Sequence, residues 1–224
     1  MIRIASALFI AAVTFCAPAL SASFDCAKAK TPVEKAICGD TKLSQLDSDL
    51  DRYYSVAIEA LKDGASCLKS DERNWVKTQR DNCGAKVDCL MTSYLGRLAT
   101  LDGLQPGASA IKYIELPAAP SLIAAIAPES EPAPSHSKKT LEMRGQLIHE
   151  ARDQNNMGYA VKPAKGAARA FVFDMSIGNS ANHQIVADAI EQEPNSRFMV
   201  RGTVADDGGF ADDKCRFVYR LPAN

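Results

Sequence analysis

The chain has 224 residues, a formal net charge of −1, and is 46% hydrophobic and 24% charged. Charge this balanced argues against polyanion binding through bulk electrostatics. Beyond residue 23 no stretch approaches the roughly 18 apolar residues of a membrane span.

Residues 1–23 read as a secretion signal. Arg3 supplies a positive start, Ile4 to Phe15 is an apolar run too short to cross a bilayer, and small residues follow from Ala17 to Ser23. Cleavage is expected after Ser23, with Ala22 and Ser21 as alternatives. Cys16 lacks the small preceding residues of a lipid-modification site, because Val13, Thr14 and Phe15 stand before it. Removing the signal leaves six of seven cysteines, an even number, which in an exported protein implies three bridges. This places the protein in the periplasm or outside the cell, with no membrane insertion after cleavage. A metal site is not expected: the closest pair, Cys83 and Cys89, has no histidine near it.

Residues 24–103 read as helical. Thr31, Pro32 and Glu34 form a capping box with proline at the first helical position, and that helix ends near Cys38 and Gly39. Asp40 caps a second helix with Leu43, Leu46, Leu50, Tyr53, Tyr54, Ala57 and Leu61 at helical spacing, ended by Asp63 and Gly64. A third helix spans about Leu68 to Asn82, with Leu68, Trp75 and Val76 inward. A fourth starts near Cys89. A rise of about 1.5 Å per residue lets the third helix return Cys83 to the start of the second. That favours Cys38–Cys83 with Cys26–Cys89; local pairing, Cys26–Cys38 with Cys83–Cys89, is the alternative. Cys67 sits at the far end, and Cys215 is the partner left for it.

Residues 104–139, rich in Pro, Ala and Ser, read as a linker, with Ile111 to Leu116 able to pair as a short strand or dock on a neighbour. Residues 140–224 change period. Strands are expected at Leu141–Ile148, Tyr159–Lys162, Ala170–Met175, Phe198–Val204 and Cys215–Leu221, with a helix at Ala181–Gln192. Three strands, a helix and two strands is the order of an OB-fold, a small five-stranded barrel; a small α+β sandwich is the alternative. The expected fold class is therefore multidomain α and β: a disulfide-stapled helical hairpin domain, then a small β-rich, OB-fold-like domain.

Several motifs together resemble the LprI-type lysozyme inhibitor domain: Phe24-Asp25-Cys26-Ala27-Lys28-Ala29, Thr31-Pro32-Val33-Glu34-Lys35-Ala36-Ile37-Cys38, Leu43-Ser44-Gln45-Leu46-Asp47, Glu72-Arg73-Asn74-Trp75, Arg80-Asp81-Asn82-Cys83, and Cys89-Leu90 with Tyr94 and Arg97-Leu98. The resemblance covers about residues 24–101. Where that family commonly has Gln before Arg-x-Trp, this chain has Glu72. It implies an exported helical module that binds and inhibits a lysozyme; the linker, the β-rich part, Cys67 and Cys215 lie outside it.

The candidate partner-binding residues are Asp47, Asp51, Arg73 and Arg80. Asp47 and Asp51 are one helical turn apart and offer an acidic face that can steer a basic enzyme; a solvated helix face is the plainer reading. Arg73, Arg80 and Asp81 flank Trp75, which by spacing belongs to the core of the hairpin. Asp206, Asp207, Asp212 and Asp213 lack the ligand spacing of a calcium loop. No phosphate loop, serine elbow or histidine pair at metal spacing is present, and no cofactor is expected. The residues point to an exported binding protein resembling lysozyme inhibitors, which acts by steric occlusion of a glycan-cleaving enzyme. The alternative is a cell-envelope adaptor that binds a periplasmic protein or glycan without inhibiting anything. Neither reading involves nucleic acid.

Overall fold

The computed structural model describes residues 22–104, 114–127, 139–151, 157–171, 181–206, 208–211 and 214–223. Four helices come first. α1 is Pro32–Gly39, α2 Thr41–Leu61, α3 Ala65–Trp75 and α4 Val87–Leu101. The capping box expected at α1 is formed: the Glu34 amide donates to Thr31 Oγ1 (3.1 Å), and Glu34 Oε2 accepts from the Thr31 and Lys30 amides (2.9 and 2.7 Å). Asp40 caps α2 through the Lys42 and Leu43 amides (2.9 and 3.0 Å). Without these acceptors the first amides of each helix would be unpaired. α3 begins three residues before Leu68, continues as a π-turn over Val76–Arg80, and closes in a 3-10 turn at Asp81–Cys83.

The cysteines pair as Cys26–Cys38, Cys83–Cys89 and Cys67–Cys215. The topological argument for Cys38–Cys83 with Cys26–Cys89 is therefore overturned, and the local alternative holds. The reason lies in two tight returns that the helix pattern does not show. A 3-10 turn at Cys26–Lys28 sets Cys26 beside the end of α1, with Cα atoms 5.7 Å apart. At the other return, Gly84 adopts φ 56° and folds Cys83 back onto the first turn of α4.

Among the described residues six strands form one antiparallel sheet in the order β1-β6-β5-β2-β3-β4: β1 Ser121–Ile126, β2 Thr140–Ala151, β3 Met157–Lys162, β4 Arg169–Phe171, β5 Phe198–Thr203 and β6 Arg216–Arg220. α5, Ala181–Gln192, lies between β4 and β5 in sequence. β2 changes partner midway. Residues 140–145 pair with β5, and residues 146–151 pair with β3. Gly145 stands at the change, where a Cβ would run into the backbone of Lys162 and Pro163.

Among the described residues the sheet does not close, so the OB-like expectation is not confirmed. Its edges are β1 and β4. β1 comes from residues 104–139, the stretch whose composition reads as linker, and it occupies the outer edge of β6 that a barrel would need for closure. Its sequence, Ser-Leu-Ile-Ala-Ala-Ile, lies between prolines and is apolar enough to be buried at five of its six positions. Ile114 and Leu116 also pack onto the helical core, while Ile111 lies outside the described residues.

Alternation along the strands, shifted in β1 by a bulge between Leu122 and Ala124, gives the sheet two buried faces. Leu122, Ala125, Met199, Phe217 and Tyr219 join the core of α1 to α4. Ile123, Ile126, Phe198, Val200 and Val218 face the other way and pack with Val186 and Ala189 of α5. The result is three layers: helical bundle, sheet, helix. The corner between α2 and α3 is pinned to this assembly. Asn182 of α5, 2% exposed, donates from Nδ2 to the Leu61 carbonyl (2.6 Å) and accepts at Oδ1 from the Ala125 amide (3.3 Å). Beside it Gly64 lies so close to the Ala125 carbonyl that no Cβ fits. The Cys67–Cys215 bridge ties the first turn of α3 to the residue before β6.

Two outcomes test this arrangement. Replacing Cys67 and Cys215 with Ala should cost about 2–5 kcal/mol in urea unfolding, more than replacing Cys83 and Cys89, because the closed loop is far longer. Equal losses would count against the bridge as the tie between layers. Gly64→Ala should lower stability by about 1–3 kcal/mol through overpacking against β1, with no loss expected if the corner stood free of the sheet.

Candidate functional site

α3 presents three faces with different chemistry. Cys67, Leu68 and Trp75 point into the core, and Trp75 meets Tyr94 edge-to-face with ring centroids 5.5 Å apart. On the flank towards the sheet, Ser70, Asp71 and Asn74 line a cleft of about 610 Å³ with Glu142, Arg201 and Lys214 on its far wall. On the outer flank Lys69, Arg73 and Lys77 are all exposed. They share an open groove of about 380 Å³ with Tyr54, Glu72 and Val76. The spacing explains that row, since residues four apart stack on one helix face.

A charge network separates the two flanks and holds α3 in place. Arg97 of α4 is 6% exposed. Its guanidinium donates to Asp71 Oδ2 (2.7 Å) and to Glu72 Oε2 (2.9 Å). Asp71 Oδ1 accepts from Arg201 of β5 (2.9 Å), and the Arg201 guanidinium lies 5.1 Å from the ring centroids of both Phe217 and Tyr219. Burial pushes the Glu72 carboxyl above its ordinary pKa, against the pull of Arg97. Burial acts to lower the pKa of Arg97, but Glu72 and Asp71 outweigh it. Two arginines and two carboxylates thus link α3, α4 and the sheet, each charge facing its opposite.

Residues 26–102 match the family model of the lysozyme inhibitor LprI. The match spans the helical segment and stops before β1, so the sheet and α5 lie outside it. No curated protein and no solved structure matches the chain. The LprI-type segment includes all of α3, the Arg97 network apart from Arg201, and two of the three disulfides.

The structure treats the four partner-binding candidates differently. Asp47 is 6% exposed and cannot steer a partner. Its Oδ1 accepts from the Tyr94 hydroxyl (2.7 Å), and its Oδ2 accepts from the amide and hydroxyl of Ser23 (2.8 and 2.6 Å). The acidic pair is corrected to Asp51 alone, which is exposed. The two residues share a helical face by spacing, but Asp47 lies where α4 crosses α2, so Tyr94 covers it. Arg80 is half-buried, pairs with Asp81 (2.9 Å) and lies beside the Tyr94 hydroxyl. Arg73 is exposed on the outer flank.

Lys69 and Lys77 were not singled out by sequence, although their spacing of four on either side of Arg73 is a readable signal. Asp71 and Arg201 carried none, because 130 residues separate them and only the packing of sheet on bundle brings them together. The His149 ring lies tilted against Tyr159, with centroids 5.6 Å apart, and His183 is held below its ordinary pKa by burial, then by Arg216. No group of three or more metal-binding side chains gathers among the described residues.

Arg97→Ala should cost about 3–5 kcal/mol, since it strands two partly buried carboxylates. Lys69→Ala or Arg73→Ala should stay within about 0.5 kcal/mol. Thermal or urea unfolding of the three variants reads the difference, and a mild Arg97 variant would mean that the network does not hold α3.

Proposed function

We propose that this protein is an exported inhibitor that blocks a lysozyme or a similar glycan-cleaving enzyme by steric occlusion, and that the outer flank of α3 is the surface it uses. The family match over residues 26–102 carries the reading, because it coincides with the disulfide-braced bundle that presents this flank. Three disulfides fit a periplasmic or secreted location. Glycosidases of this kind work with a pair of carboxyl groups in an open cleft. A row of Lys69, Arg73 and Lys77 beside the apolar surface of Tyr54 and Val76 complements such a cleft in charge and offers a partly apolar floor. The mechanism needs no chemistry by the inhibitor: a surface held rigid by the Arg97 network and the bridges excludes substrate.

The adaptor reading draws on a different observation. The cleft between α3 and the sheet, with Asp71, Asn74, Glu142 and Arg201 on its walls, lies partly outside the family match, and a polar cleft of that size suits a peptide or glycan of the envelope.

The deciding measurement titrates the oxidised full-length protein against several lysozymes and follows lysis of cell-wall substrate. Inhibition of at least one is expected. Replacing Lys69, Arg73 and Lys77 together with Glu should weaken that inhibition at least tenfold, about 1.4 kcal/mol, while the melting temperature changes little. No inhibition of any lysozyme would sink the reading, and full inhibition by the triple variant would move the interface elsewhere.

A further inference from the structure

Asp47 is an acid on α2, buried under Tyr94 of α4, and its surroundings are unusual for a charge. The described residues give it three hydrogen bonds, from the Ser23 amide, the Ser23 hydroxyl and the Tyr94 hydroxyl, all neutral donors. The Arg80 guanidinium lies beside the Tyr94 hydroxyl and forms its ion pair with Asp81, so it reaches Asp47 only through the phenol. Buried carboxylates are ordinarily matched by a cation, because neutral donors offset only part of the lost hydration.

The position of Ser23 suggests where the missing cation comes from. Ser23 lies in the run of small residues that ends the apolar leader. Its backbone nitrogen stands 2.8 Å from Asp47 Oδ2. In the unprocessed chain that nitrogen is an amide. Hydrolysis of the Ala22–Ser23 peptide bond adds water across it, leaving a carboxylate on Ala22 and an ammonium on Ser23. The same nitrogen would then carry a positive charge at the same place.

We propose that the leader is removed after Ala22 and that Asp47 is the receptor for the new α-ammonium of Ser23, so that processing completes the charge pairing of the bundle. This inference rests on the reading of the protein as exported. It differs from cleavage after Ser23, which would delete both the amide and the hydroxyl that hold Asp47 Oδ2. The pairing gives up the contacts of Ala22, which is buried against the helical core, and gains a charge-assisted bond to a carboxylate that otherwise has neutral partners. Tyr94 then holds Oδ1 while the ammonium and hydroxyl of Ser23 hold Oδ2, which locks the start of the chain onto α2 and α4. In this arrangement Asp47 acts within the protein and is not a surface for a partner.

The full chain, expressed with its own leader in an exporting host, gives the test. Intact mass and sequencing of the first tryptic peptide should show a chain beginning at Ser23. A start at Phe24 or Ala22 overturns the inference and leaves the inhibitor reading untouched. A chain that keeps Met1 overturns the export reading together with it. For the processed protein, acylation of the α-amine near neutral pH should run at least tenfold slower in the folded than in the urea-unfolded state. Asp47→Asn should restore much of the rate. An α-amine that reacts equally fast in folded and unfolded protein overturns the pairing without recourse to any variant, so the test survives an Asp47→Asn chain that fails to fold.

Discussion

β1 is a strand of small and branched residues with helices on both sides, and its burial on two faces is the constraint around which the rest is arranged. Leu122 and Ala125 enter the core of α1 to α4, while Ile123 and Ile126 enter the core under α5. The Ala125 amide is satisfied by Asn182, which also takes up the Leu61 carbonyl, where α2 ends and the backbone turns into α3. A strand with polar side chains on either face would leave one layer without a floor. The close approach at Gly64 then follows: the corner of the helical hairpin must sit directly on the strand, and there is no room for a side chain.

The disulfides divide the work of bracing by range. Cys26–Cys38 and Cys83–Cys89 each close a short local turn, with sequence separations of 12 and 6. They shape the ends of the helical segment. Cys67–Cys215 spans 148 residues and joins layers; in the chain-entropy account such a long loop loses the most freedom when closed. The Asp71–Arg201 pair crosses the same junction. Covalent and ionic ties therefore converge on α3, which holds that helix rigidly against both α4 and the sheet.

Rigidity of this kind suits the proposed occlusion. A surface already in its bound form loses less conformational freedom on association, and the gain appears as affinity. The outer flank of α3 has this support beneath it: Trp75 and Tyr94 pack under the helix, and Glu72, which also lines the outer groove, is fixed by Arg97. The Glu72 charge has Arg97 as its partner and is not an orphan acid.

Local and periodic features were legible in the residues alone. The caps at Thr31 and Asp40, the helices α1 to α5 and the strands after residue 139 follow from side-chain spacing and from acceptors placed to satisfy the first amides, both short-range effects. The six cysteines to be paired, and Cys67–Cys215 as a pair, were legible because counting leaves no other partner. Tertiary structure decided the remainder. It turned an alanine-rich stretch between prolines into an edge strand buried on both faces, because that burial outweighs a composition that reads as linker. It kept the sheet open, because that strand occupies the edge a barrel would close with. It chose local disulfides over those suggested by helix lengths, because two tight turns bring neighbouring cysteines together first. It also buried Asp47 while leaving Asp51 in water, although the two lie one turn apart on the same helix, since only the crossing of α4 determines which of them is covered.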